Sequence, residues 1–248
     1  MTNFCQQTGV EARYLVSYDW PEAANAEKIL LRLKRIVVQL GITELQVMAQ
    51  GYGKKKPVST DFFKIKDFSA IQSLETINER GPAGSLGGLY YDDNKNLNMA
   101  MLCIAICTHP LQPSLVVNII RALHEVDGIG YAIAFDAPLG KKAMYYALGM
   151  TFGEVKTHYE NMLAHELGRF FFQSTRKNRN DRAYNRDKIR NVYPVNVLNP
   201  LQKQIMQAET GLNEGRFTCL GDDRHLLVLD DEEVFGLREK LVRSAFLI

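Results

Sequence analysis

At 248 residues, 46% apolar and 23% charged, the chain has ordinary globular composition and apolar content for one large domain or two of moderate size. Its net charge of +2 gives no global electrostatic argument for a nucleic-acid partner. No run of about 18 apolar residues occurs, which excludes a simple membrane-spanning helix, and the N-terminus has neither the basic start nor the apolar segment of a secretory signal, so a cytoplasmic location is expected.

In chain order, residues 11–18 (EARYLVSY) read as a strand. Asp19, Pro21 and Glu22 then offer a helix start, with Asp19 as N-cap and proline in the first turn. Ile29, Leu33, Ile36, Val37 and Leu40 follow at helical spacing, and Gly41 is placed to end the helix. A short strand is expected at 44–49. The stretch from 51 to 93 is the least regular, with a modest helix expected around 68–79. Residues 96–108 read as a buried strand, Pro113 to Val126 as an amphipathic helix with Val116, Ile119, Ile120, Leu123 and Val126 on one face, and 128–136 as a further strand. Beyond Met150 a helix is expected over 154–172. Residues 215–220 and 224–230 suggest a hairpin turning at Gly221, Asp222 and Asp223, and 231–246 a final helix.

Strand–helix–strand, twice, is the order of a ferredoxin-like split βαβ unit with an antiparallel sheet covered by helices on one face. The expected fold is therefore α+β: a ferredoxin-like unit over 1–150, a helix and basic connector over 151–190, and a smaller β-hairpin and helix part over 191–248 packed on the first unit.

The strongest local bias lies at 176–190 (RKNRNDRAYNRDKIR), where seven basic and two acidic residues give a local charge of +5. Arg176, Lys177, Arg179, Arg182, Arg186, Lys188 and Arg190 suit phosphate neutralisation, Tyr184 and Tyr193 suit base stacking, and Lys54, Lys55 and Lys56 extend the basic character. Asp181 and Asp187 dilute the stretch, and its order is equally that of a solvated connector. The following YPVNVL segment reads as a turn burying Val192, Tyr193, Val195, Val197 and Leu198.

Catalytic signatures fail on their own requirements. The glycines at 84, 87 and 88 precede a strand-like segment, whereas phosphate-cradling glycines lie between a strand and a helix N-terminus. Around Gly140, Lys141 and Lys142, Phe135 stands where a P-loop needs its first glycine. His165-Glu166 lacks the second metalloprotease histidine, since position 169 is Arg. His158 and His165 share a helical face with Glu154 and Arg169, and the arginine disfavours a cation there. Ser85 is outside a nucleophile-elbow motif, and Cys5, Cys103, Cys107 and Cys219 have no zinc spacing. No metal and no cofactor are expected. The expectation is a non-catalytic protein-binding role, as in bacterial adaptor, effector or toxin-neutralising (immunity-like) proteins. Nucleic-acid binding through 176–190 is the alternative, and an unrecognised hydrolase or transferase is third.

Overall fold

The computed structural model describes residues 11–18, 26–76, 86–94, 99–107, 113–127, 129–138, 187–221, 223–241 and 244–246. Their strands are β1 (Glu11–Tyr18), β2 (Gln46–Gly51), β3 (Val58–Asp61), β4 (Ile71–Thr76), β5 (Gly88–Asn94), β6 (Met99–Ile106), β7 (Tyr131–Pro138), β8 (Val195–Leu198), β9 (Phe217–Gly221) and β10 (Arg224–Val228). The helices are α1 (Ala26–Gln39), α2 (Pro113–Asp127), α3 (Pro200–Thr210) and α4 (Asp231–Leu241). The strands join in one sheet of order β3-β2-β4-β5-β6-β1-β7-β8-β10-β9, each pairing antiparallel. The chain belongs to the α+β class.

Sequence pattern and burial agree on β2, β4, β6 and β7. On β2 and β4, Val47, Ala49 and Leu74 are buried, while Met48, Gln50, Ser73 and Glu75 on the other side are half-buried or exposed. That alternation is expected of a sheet with one face packed. On β6 and β7 it disappears: Leu102, Ile104, Ala132 and Ala134 are buried, and so are Met101, Cys103, Tyr131, Ile133 and Phe135 on the opposite side. The near-continuous apolar runs in these strands are the sequence mark of burial on both faces.

Helices α1 and α2 cover the first face. Ile29, Leu33, Ile36 and Val37 of α1 and Val116, Ile119, Ile120 and Leu123 of α2 share a core with Val47, Leu74, Leu89, Leu102, Ile104, Val195, Val197 and Leu226. Gly41 ends α1 as expected, at φ +79°, with its N–H donating to Val38 O and that of Ile42 to Val37 O. This paired closure requires a left-handed residue, which glycine adopts at least cost. His124 of α2 ties the helix to two strand ends: Nδ1 accepts from the Ile129 N–H at 2.9 Å, leaving Nε2 to donate to Gly221 O at 3.2 Å.

On the second face, Tyr193 packs on Phe135 with ring centroids 5.8 Å apart, and Arg238 of α4 lies over the Tyr193 ring. Helix α4 therefore covers the face opposite α1 and α2, and α3 packs against α4, β8 and β10.

Several expectations are corrected. The segment expected to be helical around 68–79 contains β4: pairing with β2 and β5 supplies its backbone partners, and Phe68 is buried in the preceding turn, where Asp67 accepts from the Ser69 N–H. Strand β3 lies in the stretch read as irregular. The final helix is described over Asp231–Leu241, and residues 244–246 are not helical, so it does not reach 246 as expected. Helix α3 was not anticipated, although it carries a reciprocal cap between Asn199 and Gln202, Pro200 in its first turn and Gly211 at φ +78°.

The split order is present, since β6 and β7 flank β1 and are joined by α2. The four-stranded ferredoxin-like order is not, because β4 and β5 stand between β2 and β6. Covering on one face alone is also replaced by burial of the central strands on both. The proposed caps Asp19, Pro21 and Glu22, and the helix expected over 154–172 with Glu154, His158, His165 and Arg169, lie outside the described residues.

Candidate functional site

Three of the nine residues expected to bind a partner fall within the described structure: Lys188, Arg190 and Tyr193. Arg176, Lys177, Arg179, Arg182, Tyr184 and Arg186 lie outside it. Tyr193 is fully buried, stacked obliquely on Phe135 and flanked by two cations, with the Arg238 guanidinium 5.1 Å and the Arg190 guanidinium 5.9 Å from the ring centroid. Arg190 is itself fully buried, and its N–H donates to the Tyr131 hydroxyl at 3.1 Å. Arg238 donates from Nε to Val192 O at 2.7 Å.

These contacts turn Arg190 and Tyr193 into the second face of the sheet. A base cannot stack on a ring already covered by Phe135 and Arg238. The end of the basic stretch acts instead as an anchor: the Ile189 N–H donates to Phe246 O at 3.1 Å, Lys188 Nζ donates to Ala245 O and pairs with Asp187, and the Lys188 carbonyl accepts from Gln202 Nε2 at 2.7 Å. Val192, Val195, Val197 and Leu198 are fully buried, as the sequence reading anticipates, but Val195–Leu198 form strand β8 rather than part of a turn. Asn196 fixes the start of that strand, accepting from the Tyr193 N–H at 3.0 Å and donating to Tyr193 O.

A second group of polar residues lies near the opposite end of the sheet. Tyr52, in the turn after β2, donates its hydroxyl to Asp93 of β5, and Tyr90 donates to Asp92 at 3.1 Å. Burial and the nearby carboxylates hold both tyrosine hydroxyls well above their ordinary range, so they remain protonated donors. Burial also raises the Asp92 carboxyl, partly opposed by the Tyr90 hydrogen bond and reinforced by Asp93. Burial raises the Cys103 thiol, opposite Tyr90 in the β5–β6 pair, and pushes Cys107 up to about 11. Buried thiols held protonated are poor nucleophiles. Among the described residues, no three His, Cys, Asp or Glu side chains come together to hold a metal ion.

The third feature is the turn joining β2 and β3. The Lys54 N–H donates to Gly51 O at 3.1 Å, Gly53 sits at φ +71°, and Gln50 Nε2 donates to Lys54 O at 2.9 Å. The left-handed glycine and these bonds fix a tight turn. It presents Lys54, Lys55 and Lys56 to solvent, followed by exposed Pro57, Val58 and Ser59. None of the three lysine side chains has an ion-pair partner among the described residues. The sequence marked these lysines only as an extension of the basic stretch, since their place at a sheet edge depends on long-range strand pairing.

No protein-family model matches the sequence, and no curated protein matches it. Among solved structures, it is similar to a Pseudomonas aeruginosa T6SS protein, PA0821, with a TM-score of 0.56 and 11% identity, over 95% of this chain and 73% of that one. The likeness is one of fold. Among the described residues no helix is long and apolar enough to cross a membrane.

Proposed function

We propose that the chain acts by binding another protein, in the manner of a bacterial adaptor, effector or toxin-neutralising, immunity-like protein. The observation that carries this reading is the fold likeness to a T6SS protein across 95% of the chain. It is an argument by analogy of fold, joined to a local one: exposed lysines on a fixed turn, with no ion-pair partner among the described residues, leave a surface suited to recognition. Arg176, Lys177, Arg179, Arg182, Tyr184 and Arg186 remain candidates for the same role. The nucleic-acid alternative is weakened by the burial of Arg190 and Tyr193, two of its nine contact residues.

The test is reconstitution. The purified full chain is mixed with each purified product of the genes adjacent to its own and analysed by size-exclusion chromatography with light scattering. A stoichiometric complex with one of them is expected. The reading is overturned if none binds, or if a random single-stranded oligonucleotide binds at low salt and is lost steeply as salt rises.

A further inference from the structure

The sheet ends on one side at β3, which pairs with β2 along one edge (Met48 opposite Ser59, Val47 opposite Thr60) and with no other described strand. A terminal strand presents unpaired backbone N–H and C=O groups, and proteins use such edges to accept an extended segment of a partner. Val58 is 67% exposed, the most open of the large apolar side chains at the described surface, and Ser59 beside it is exposed. Lys54, Lys55, Lys56 and Pro57 immediately precede this edge.

Lysines and proline beside a short edge strand are a known defence against indiscriminate pairing. Here the defence is selective. Three cations without a counterion among the described residues repel a basic strand or a second copy of the same edge, and they attract a strand carrying carboxylates. The fixed turn adds to this. Tyr52 is held at its base by its N–H donating to Ala70 O and its hydroxyl donating to Asp93, so the lysines start from an anchored backbone.

We propose that the outer edge of β3 is a docking site for an extended acidic segment of a partner protein, which adds as an eleventh strand with its carboxylates against Lys54, Lys55 and Lys56. The inference rests on the protein-binding reading and specifies its surface. Backbone pairing supplies the attachment, Val58 an apolar contact, and the lysines the choice of partner.

The probe is a synthetic heptapeptide alternating Glu and Val, titrated into isotope-labelled full-length protein, with backbone amide shifts read by NMR. The amides of Val58, Ser59, Thr60 and Asp61 should shift, and replacing all three lysines (Lys54→Ser, Lys55→Ser, Lys56→Ser) should weaken binding by about threefold or more at low salt. A peptide alternating Lys and Val should leave the spectrum unchanged, and N-methylation of alternate residues of the acidic peptide should abolish the shifts. The proposal is overturned if β3 does not respond to the acidic peptide, or if the N-methylated peptide binds as well, since lysines merely attracting charge need no backbone pairing. A neighbouring-gene product that binds wild type and the triple lysine variant equally overturns this site while leaving the protein-binding reading standing.

Discussion

At the scale of single residues, the described polar groups divide into those that anchor structure and those left toward solvent. Arg190 and Tyr193 read from sequence as a cation and a stacking ring, which is the chemistry of a nucleic-acid surface. The burial of Tyr193 was expected from the apolar segment around it, but that of Arg190, and the contacts of both with Phe135, Tyr131 and Arg238, were not legible, because residues 45 to 60 positions away build that environment. Asp92 carries a measurable consequence. Its carboxyl is raised by burial in the folded chain, so over the window between its unfolded and folded values the native state binds the additional proton. Stability is therefore greatest below the ordinary carboxylate value, about 3.9, and falls as pH rises through the folded value. Asp92→Asn keeps an acceptor for the Tyr90 hydroxyl and removes the charge. The variant should have a higher urea midpoint than wild type at pH 7, with the difference closing below about pH 4. Equal midpoints at pH 7 would contradict the assignment.

Among the elements, α1, α2, β1, β6 and the β9–β10 hairpin were legible because their local signals and tertiary environment agree. Helix α1 shows this well: its apolar spacing matches the face it buries, and Gly41 marks its end. Strand β4 was misread because Ile71 and Leu74 sit three apart, a spacing equally at home in a helix, and only pairing with β2 and β5 resolves the choice. Helix α3 had its signal in the sequence, in Asn199, Pro200, Gln202 and Gly211. Glycines allow a paired test of the helix arguments. Gly236 lies exposed inside α4, and a Cβ there would meet nothing within 4 Å, so Gly236→Ala should stabilise the protein by about 0.5–1 kcal/mol. Gly211 also has open space for a Cβ, but its φ is +78°, so Gly211→Ala should destabilise by about 1 kcal/mol from backbone strain alone. Opposite shifts in thermal unfolding midpoint are expected, and shifts of the same sign would contradict one of the two arguments.

For the whole molecule, the decisive contact is β7 with β8, where Ala132, Ile133 and Ala134 pair with Val197, Asn196 and Val195. Through it the C-terminal strands extend the sheet begun by the N-terminal ones. Val195, Val197 and Leu226 also share the core beneath α1 and α2. Cooperative unfolding follows from that shared core. Asn196→Ala leaves the buried Tyr193 N–H without its side-chain acceptor and should cost about 1–3 kcal/mol. Amide hydrogen exchange of Ile104 in β6 and Leu226 in β10, followed against urea, should then report one unfolding midpoint, lowered equally in the N-terminal and C-terminal strands. A midpoint that falls at Leu226 and stays fixed at Ile104 would mean that the two parts unfold separately.

Local spacing, over fewer than about twenty residues, was enough to specify the α+β class, the two amphipathic helices and the burial of the apolar segment around Tyr193. Long-range packing settled the order of the ten described strands, the placement of β4 and β5 between β2 and β6, and the burial of Arg190. It also set Lys54, Lys55 and Lys56 beside the terminal strand of the described sheet. The physical reason is common to all four: strand pairing joins residues far apart in the chain, and local periodicity states which face a strand buries without stating which neighbour it takes.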